Sequence, residues 1–231
     1  MPLGERTLTG MSDAEPLSPT ERTRIRRARP RARRDRADLH ALLDAGLVCH
    51  LGFLTDGFPR VLPTGYGRID DTLYLHGSAG ARSLRDSPGT EVCATVTHLD
   101  GIVYARSLFH HSANYRCAVI HGLARHVTTT GEKTRALRAI SEQLAPGSWD
   151  RARRPDEREL AATAVLALPL REASVKVRDG GANDDETDIA RGDTWAGVLP
   201  LHTSWGRPVP ATDLPADTRA PAEITARPDP G

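Results

Sequence analysis

A mainly β fold, an antiparallel split β-barrel with a few peripheral helices (α+β), is what this sequence predicts. Two observations carry it. Two-residue turn signals, Asp56-Gly57 and Asp70-Asp71, separate short β-rich runs, LVCHLGFL from Leu47, PRVLPTGYGRI from Pro59 and TLYLH from Thr72, as antiparallel hairpins require. Alternation with a period of two then recurs downstream. Val92, Ala94 and Val96 share one face with Thr95 and Thr97 on the other, and Ala173, Val175 and Val177 alternate with Ser174, Lys176 and Arg178, so Lys176 and Arg178 share a face.

In chain order, residues 1–21 hold Pro2, Gly4, Gly10, Pro16 and Pro19 with no apolar periodicity, which predicts a disordered or loose extension. An arginine-rich arm from Arg22 to Arg36 follows. Asp35 is placed to cap a helix bearing Leu39, Leu42 and Leu43 and stopped at Gly46. The three-stranded meander comes next, with Pro59 and Pro63 expected at strand starts, edges or bulges. Ser78 is placed to cap a short helix through Arg85 whose free N–H groups and Arg82 suit an anion; an ordinary capped helix with surface arginines is the plain alternative. Asp100-Gly101 reads as a turn. A strand at Ile102–Tyr104, a dense polar connection from Arg106 to Arg116 and a second strand from about Cys117 to Val127 follow it. That connection holds adjacent histidines, Ser107, Ser112, Asn114 and Tyr115, facing either a polar ligand, a subunit or plain solvent. Thr129 with Glu132, and Asp156 with Glu159, are spaced as capping boxes; Pro146-Gly147 ends the first helix. TAVLALPL and EASVKVR read as the last two long strands. After an acidic segment and the apolar patch WAGVLPL (Trp195 to Leu201), six prolines mark a tail. The expected organisation is an extension at 1–21, one domain at 22–201 and a tail at 202–231.

With 39% hydrophobic residues, no apolar run of the roughly 18 to 20 residues that span a bilayer and no secretory-type N-terminus, the chain is expected to be cytoplasmic, without membrane association. Cys49, Cys93 and Cys117 form no CxxC pair and read as buried thiols; the nine histidines show no HExxH spacing, so no metal site is expected. Net charge is only +1, and the basic arm lacks aromatic residues to stack bases, which argues against nucleic acid. The arm is expected to dock on its own protein, a partner subunit or a phosphate-bearing cofactor.

RVLPTGYG at 60–67, LYLHGSAGAR at 73–82, VCATVTHLDG at 92–101, ARSLFHHSANYRCAVIHG at 105–122, SVKVR at 174–178 and WAGVLPL at 195–201, in this order, resemble the pyridoxamine 5′-phosphate oxidase-like superfamily with the FMN-binding split barrel. Within it they resemble the flavin-nucleotide-binding branch that includes nitroimidazole-resistance proteins. The resemblance implies a homodimer with FMN at the subunit interface. It places His76, Ser78 and Arg82 on the phosphate side, Thr95 and Thr97 where a strand passes the flavin, and Ser107, Asn114, Tyr115 and Arg116 against the ring or ribityl chain. Lys176, Arg178 and Trp195 would come from the other subunit or form interface ion pairs. Ala81 and Cys117 stand where the family often has serine.

The implied activity is an oxidoreductase acting on a small planar substrate, with His76 facing the substrate and a nicotinamide donor visiting transiently, since no Rossmann fingerprint is present. FAD or a deazaflavin are alternatives to FMN. Haem is another, with His110, His111 or His202 as axial ligands, and a flavin-binding protein without turnover is the last.

Overall fold

The computed structural model of the chain describes residues 16, 17, 20–82, 84, 89–215 and 217–230. Its strands are β1 (Ala32–Arg33), β2 (Val48–Thr55), β3 (Phe58–Ile69), β4 (Thr72–Ser78), β5 (Glu91–Tyr104), β6 (Ser112–Leu123), β7 (Arg125–His126), β8 (Thr163–Pro169), β9 (Glu172–Arg178) and β10 (Gly197–Pro200). They pair antiparallel in the order β1-β9-β6-β5-β2-β3-β4-β8-β7, with β10 also on β5, and form the antiparallel split barrel that the sequence pattern predicts. The helices are α1 (Arg36–Ala45), α2 (Thr130–Leu144), α3 (Ser148–Arg151), α4 (Glu157–Ala162), α5 (Glu186–Arg191) and α6 (Ala222–Thr225). None among the described residues is long and apolar enough to cross a membrane.

The meander forms as its turns dictate. Asp56 and Gly57 sit at φ 52° and 78° and Asp70 at φ 48°, the left-handed backbone that tight hairpins require and that Asp and Gly tolerate. Pro59 and Pro63 lie opposite Leu54 and His50. There β3 has β2 on one side only, because β4 joins it from Tyr66 onward, so no second strand asks for the missing N–H. Asp35 caps α1 by accepting the Ala37 N–H at 2.8 Å, and the Asp156–Glu159 box closes in both directions at 2.8 and 2.9 Å. Thr129 accepts the Glu132 N–H at 3.4 Å.

Three expectations need correction. Asp100-Gly101 is not a turn: β5 runs through it, and the register passes from Leu99↔Tyr115 to Gly101↔Asn114, leaving Asp100 as the extra residue of a bulge. The following strand starts at Ser112 rather than Cys117, so the polar connection shrinks around a 3-10 turn at Leu108–His110. Of the helix expected from Ala79 to Arg85, Ala79 and Gly80 form a turn, Ala81 is irregular, Arg82 and Leu84 are helical, and Ser83 and Arg85 lie outside the described residues.

Alternation along the strands sorts two cores. Leu51, Leu73, Leu75, Val96, Ile120, Leu166, Leu168 and Val175 fill the barrel, joined by Leu39, Leu42 and Leu43 of α1. Tyr74, Val165 and Ala167 face the other way, onto Ala136, Leu137 and Ile140 of α2 and Trp149 of α3. Each fully buried Leu or Ile contributes about 1.5 to 3 kcal/mol of transfer free energy. Gly67 lets α2 close on β3: a Cβ there would lie 2.5 Å from the Ile140 nitrogen.

The arm and the tail both lie on this body. Leu17 is buried, and its N–H donates to the Arg34 carbonyl at 2.8 Å. Arg22 bridges Glu91 at 2.5 Å and Glu172, and Thr20 also donates to Glu172. Arg227 stacks over Trp205 at 4.1 Å and donates to the Leu144 carbonyl at 2.6 Å.

Candidate functional site

At the end of β4 the alternation that sends Tyr74 toward α2 puts His76 on the same side. Its Nδ1 is buried without a hydrogen-bond partner, and burial lowers its pKa, holding the imidazole neutral. Two cavities meet at this residue. One, of about 220 Å³, is walled by Leu137, Ser141, Trp149 and Thr163 together with Arg153 and Arg154. Those arginines are paired with Glu159 at 2.6 Å and Asp150 at 3.2 Å. The other, of about 110 Å³, lies between β2, β3 and β4 and is lined by Leu51, Leu62, Thr64, Gly77, Ala81 and Leu84. A neutral imidazole with a free, dry nitrogen in mostly apolar walls can accept a proton, accept a hydrogen bond or ligate a metal.

Ser78 follows His76 and accepts the Gly80 N–H at 3.2 Å. Arg82 is exposed and pairs with Asp56 of the β2–β3 turn at 2.5 Å. Thr97, Cys117 and Lys176 are register neighbours across β5, β6 and β9, and Thr95, Val119 and Ser174 form the next row. Both rows lie on the face turned away from the barrel core.

Thr97 also lines a cavity of about 670 Å³ with His98, Asp100, Arg116, His202 and Asp229. Arg116 donates to the bulge residue Asp100 at 2.7 and 3.0 Å, and that carboxylate raises its pKa. Asn114 and Arg178 are buried and satisfy each other, with Arg178 also donating to the Gly180 and Gly181 carbonyls at 2.7 and 2.8 Å. Tyr115 is half-buried and opposite Arg178 in register. Ser107 is half-buried, and its carbonyl takes the His110 N–H at 3.1 Å. Trp195 is 68% exposed and tilts against Tyr104 at 5.9 Å. His111 accepts the Ala105 N–H at 3.2 Å, and His110 lies 3.3 Å from Asp185.

One chain therefore brings Thr97 to Arg116 and Asn114 to Arg178, and keeps His76, Ser78 and Arg82 in a separate region. The walls around His76 contributed by Leu137, Ser141 and Trp149 are absent from the sequence expectation; the only hint was Trp149 just past the Pro146-Gly147 helix stop.

The chain is similar to known proteins in sequence and fold. A family model described as pyridoxamine 5′-phosphate oxidase matches residues 35–177. The chain belongs to that family. The flavocytochrome Anf3 from Azotobacter vinelandii is 36% identical with a TM-score of 0.86, over 91% of this chain and 98% of that one. An FAD and haem binding protein from Mycobacterium smegmatis is 35% identical with a TM-score of 0.82, over 86% and 98%. A protein assigned to 5-nitroimidazole antibiotic resistance in Bacteroides thetaiotaomicron shares the family's fold at 21% identity and a TM-score of 0.53, over 63% and 86%. No curated protein sequence matches the chain.

Proposed function

We propose that this member of the pyridoxamine 5′-phosphate oxidase family binds both a flavin and a haem and works as an electron-transferring flavocytochrome. The observation that carries the reading is His76, a neutral imidazole whose buried Nδ1 has no partner in the protein. A neutral imidazole of this kind would hold a haem iron. Likeness at 36% to a flavocytochrome and at 35% to an FAD and haem binding protein, over nearly the whole length of each, supports it. When bound, the two groups supply the redox chemistry, and the protein supplies position, dryness and charge.

On this reading His76 offers its Nδ1 lone pair and keeps its proton on Nε2, while Leu137 and Trp149 exclude water from that side. His110 and His111 are the weaker ligands, because Asp185 and the Ala105 N–H already engage them. Ser78 and Arg82 hold the flavin phosphate, which requires Arg82 to exchange Asp56 for it. Thr95, Thr97 and Lys176 present hydroxyls and a cation to the ring from the outward face of β5 and β9. A homodimer completes the site. The apolar side chains of Leu54, Phe58, Val61 and Leu62, left exposed on the β2–β3 hairpin, are the surface it would cover. The substrate is then a small planar acceptor reduced in the cytoplasm by electrons from a nicotinamide donor.

The test is the absorbance spectrum after loading the protein with hemin and with FAD or FMN. A Soret band and flavin bands are expected together, and His76→Ala should lose the Soret band while keeping the flavin. A Soret band unchanged in His76→Ala moves the ligand elsewhere. Flavin uptake with no Soret band reduces the protein to a flavin-only redox protein.

A further inference from the structure

Nine arginines lie between Arg22 and Arg36, and the structure divides them by partner. Arg22, Arg26 and Arg36 reach carboxylates on Glu91 and Glu172, Glu21, and Asp71. The guanidinium groups of the other six, Arg24, Arg27, Arg29, Arg31, Arg33 and Arg34, make no hydrogen bond or ion pair among the described residues, and four of them, Arg24, Arg29, Arg33 and Arg34, line a single cavity of about 380 Å³. Among the described residues no acidic one lines it, and Thr23 and Ser174 bring hydroxyl-bearing side chains to the same wall.

Arg24, Arg29 and Arg34 are exposed and Arg33 is half-buried, but the backbone that carries them is fixed. This segment is anchored by β1, which pairs Ala32 with Lys176 and Arg33 with Val175, by the Leu17 N–H on the Arg34 carbonyl at 2.8 Å, and by Thr20 and Arg22 on Glu172. Ala28 sits at φ 52°, a left-handed conformation that costs a non-glycine residue energy and persists only where surrounding contacts impose it. Four like charges facing one cavity repel, and a multiply charged anion relieves that repulsion. Guanidinium groups in this number match the paired oxygens of a diphosphate better than a lone carboxylate, and the volume is that of an ordinary small-ligand pocket.

We propose that the cavity beneath the arginine arm binds the diphosphate of a nucleotide, held by Arg24, Arg29, Arg33 and Arg34. The diphosphate is that of a freely exchanging nucleotide, since the flavin phosphate is placed at Ser78 and Arg82, which do not line this cavity. The proposal stands without the flavin and haem reading, because inorganic pyrophosphate tests it directly.

The experiment is calorimetric titration of the full chain with inorganic pyrophosphate, with Arg33→Ala/Arg34→Ala as the variant and Arg26→Ala as the control. One saturable site per chain, weakened at least tenfold in the double variant and unchanged in the control, is expected. Arg24→Ala/Arg29→Ala serves as an independent variant should the first fail to fold. Repeating the titration on protein saturated with FAD should leave pyrophosphate binding unchanged; its loss would show that the flavin dinucleotide itself occupies the cavity and would overturn the proposal. Absence of pyrophosphate binding, or equal binding by both double variants, overturns the proposal. So does binding of single-stranded oligonucleotide without saturable pyrophosphate binding, since that is the behaviour of a nonspecific polyanion surface.

Discussion

Replacing His76 with leucine sets stability against function in one residue. In the protein free of cofactors the buried Nδ1 lacks a partner, and an unsatisfied polar atom costs about 1 to 3 kcal/mol. Because the ring is only half-buried, the lower end applies, and His76→Leu should stabilise the cofactor-free fold by about 1 kcal/mol at pH 8. Acidification should widen the gap. Burial depresses the folded-state pKa below the ordinary 6.5, so above that value both states are neutral and pH has no leverage through this group. Below it the unfolded chain takes up a proton that the folded chain refuses. Stability of the parent therefore falls with pH, by at most about 1.4 kcal/mol per unit, until the folded-state pKa is reached. The leucine variant lacks that slope. Urea unfolding of both cofactor-free proteins at pH 8 and pH 5.5 reads the two effects, while hemin loading should show the opposite ranking, with the Soret band present only in the parent. A leucine variant less stable at pH 8, with a gap that does not grow at pH 5.5, would show that Nδ1 is satisfied in the folded protein and remove the reason for placing a ligand there.

Other consequences can be measured separately. Gly67→Ala should destabilise the fold by about 3 kcal/mol, the upper end for overpacking, because its Cβ would lie 2.5 and 2.6 Å from backbone atoms of Ile140 and Ala139; thermal melting checks it, and an unchanged melting temperature refutes the α2–β3 contact. Arg82→Ala should change stability by less than about 0.5 kcal/mol, since its pair with Asp56 is exposed, yet weaken flavin binding about tenfold through loss of a charge-assisted phosphate bond; fluorescence titration with FMN and FAD decides. Phe58→Glu on the exposed hairpin should convert a dimer to monomer in sedimentation, and a dimer that survives would place the subunit contact elsewhere. Glu172 is held down at about 2 by Arg22 and then Thr20, from an ordinary 4.5, so the arm's attachment is complete above pH 4.5 and weakens as pH falls toward 2. Hydrogen-exchange protection at residues 20–34 should drop at pH 3 relative to pH 5.5 while β5 stays protected, and Glu172→Gln should show the same loss at neutral pH.

The same dipeptide shows why one part of the fold was legible and another was not. Asp56-Gly57 makes a hairpin turn because both residues accept φ near 52° and 78° and strands flank them on either side. Asp100-Gly101 carries an equal local signal and makes a bulge inside β5 instead. The deciding partner is β10: a Cβ on Gly101 would lie 2.9 Å from the Leu199 carbonyl oxygen, so the glycine serves a strand that arrives almost a hundred residues later, and Asp100 is freed to hold Arg116. Caps and hairpins are local and could be read; contacts across the barrel could not. The candidate site divides along the same line. Asn114, Arg116 and Arg178 look like ligand contacts by residue type, but within this chain each has a partner, Arg178, Asp100 and Asn114 respectively, which only the folded register reveals. Arg22 likewise meets Glu91 and Glu172 across separations of 69 and 150 residues. Partners of this kind account for those side chains within one chain, and a ligand would have to compete with them, as it must for Arg82 and Asp56. Two buried side-chain atoms among the described residues lack a partner, Arg106 Nε and His76 Nδ1, and Arg106 already donates to Asp184 at 2.7 Å through its other nitrogen. His76 is thus the buried side chain whose polar bonding the fold leaves most incomplete, and a bound group would complete it; Arg24, Arg29 and Arg34 of the arm are exposed and hydrated until an anion takes the place of that water.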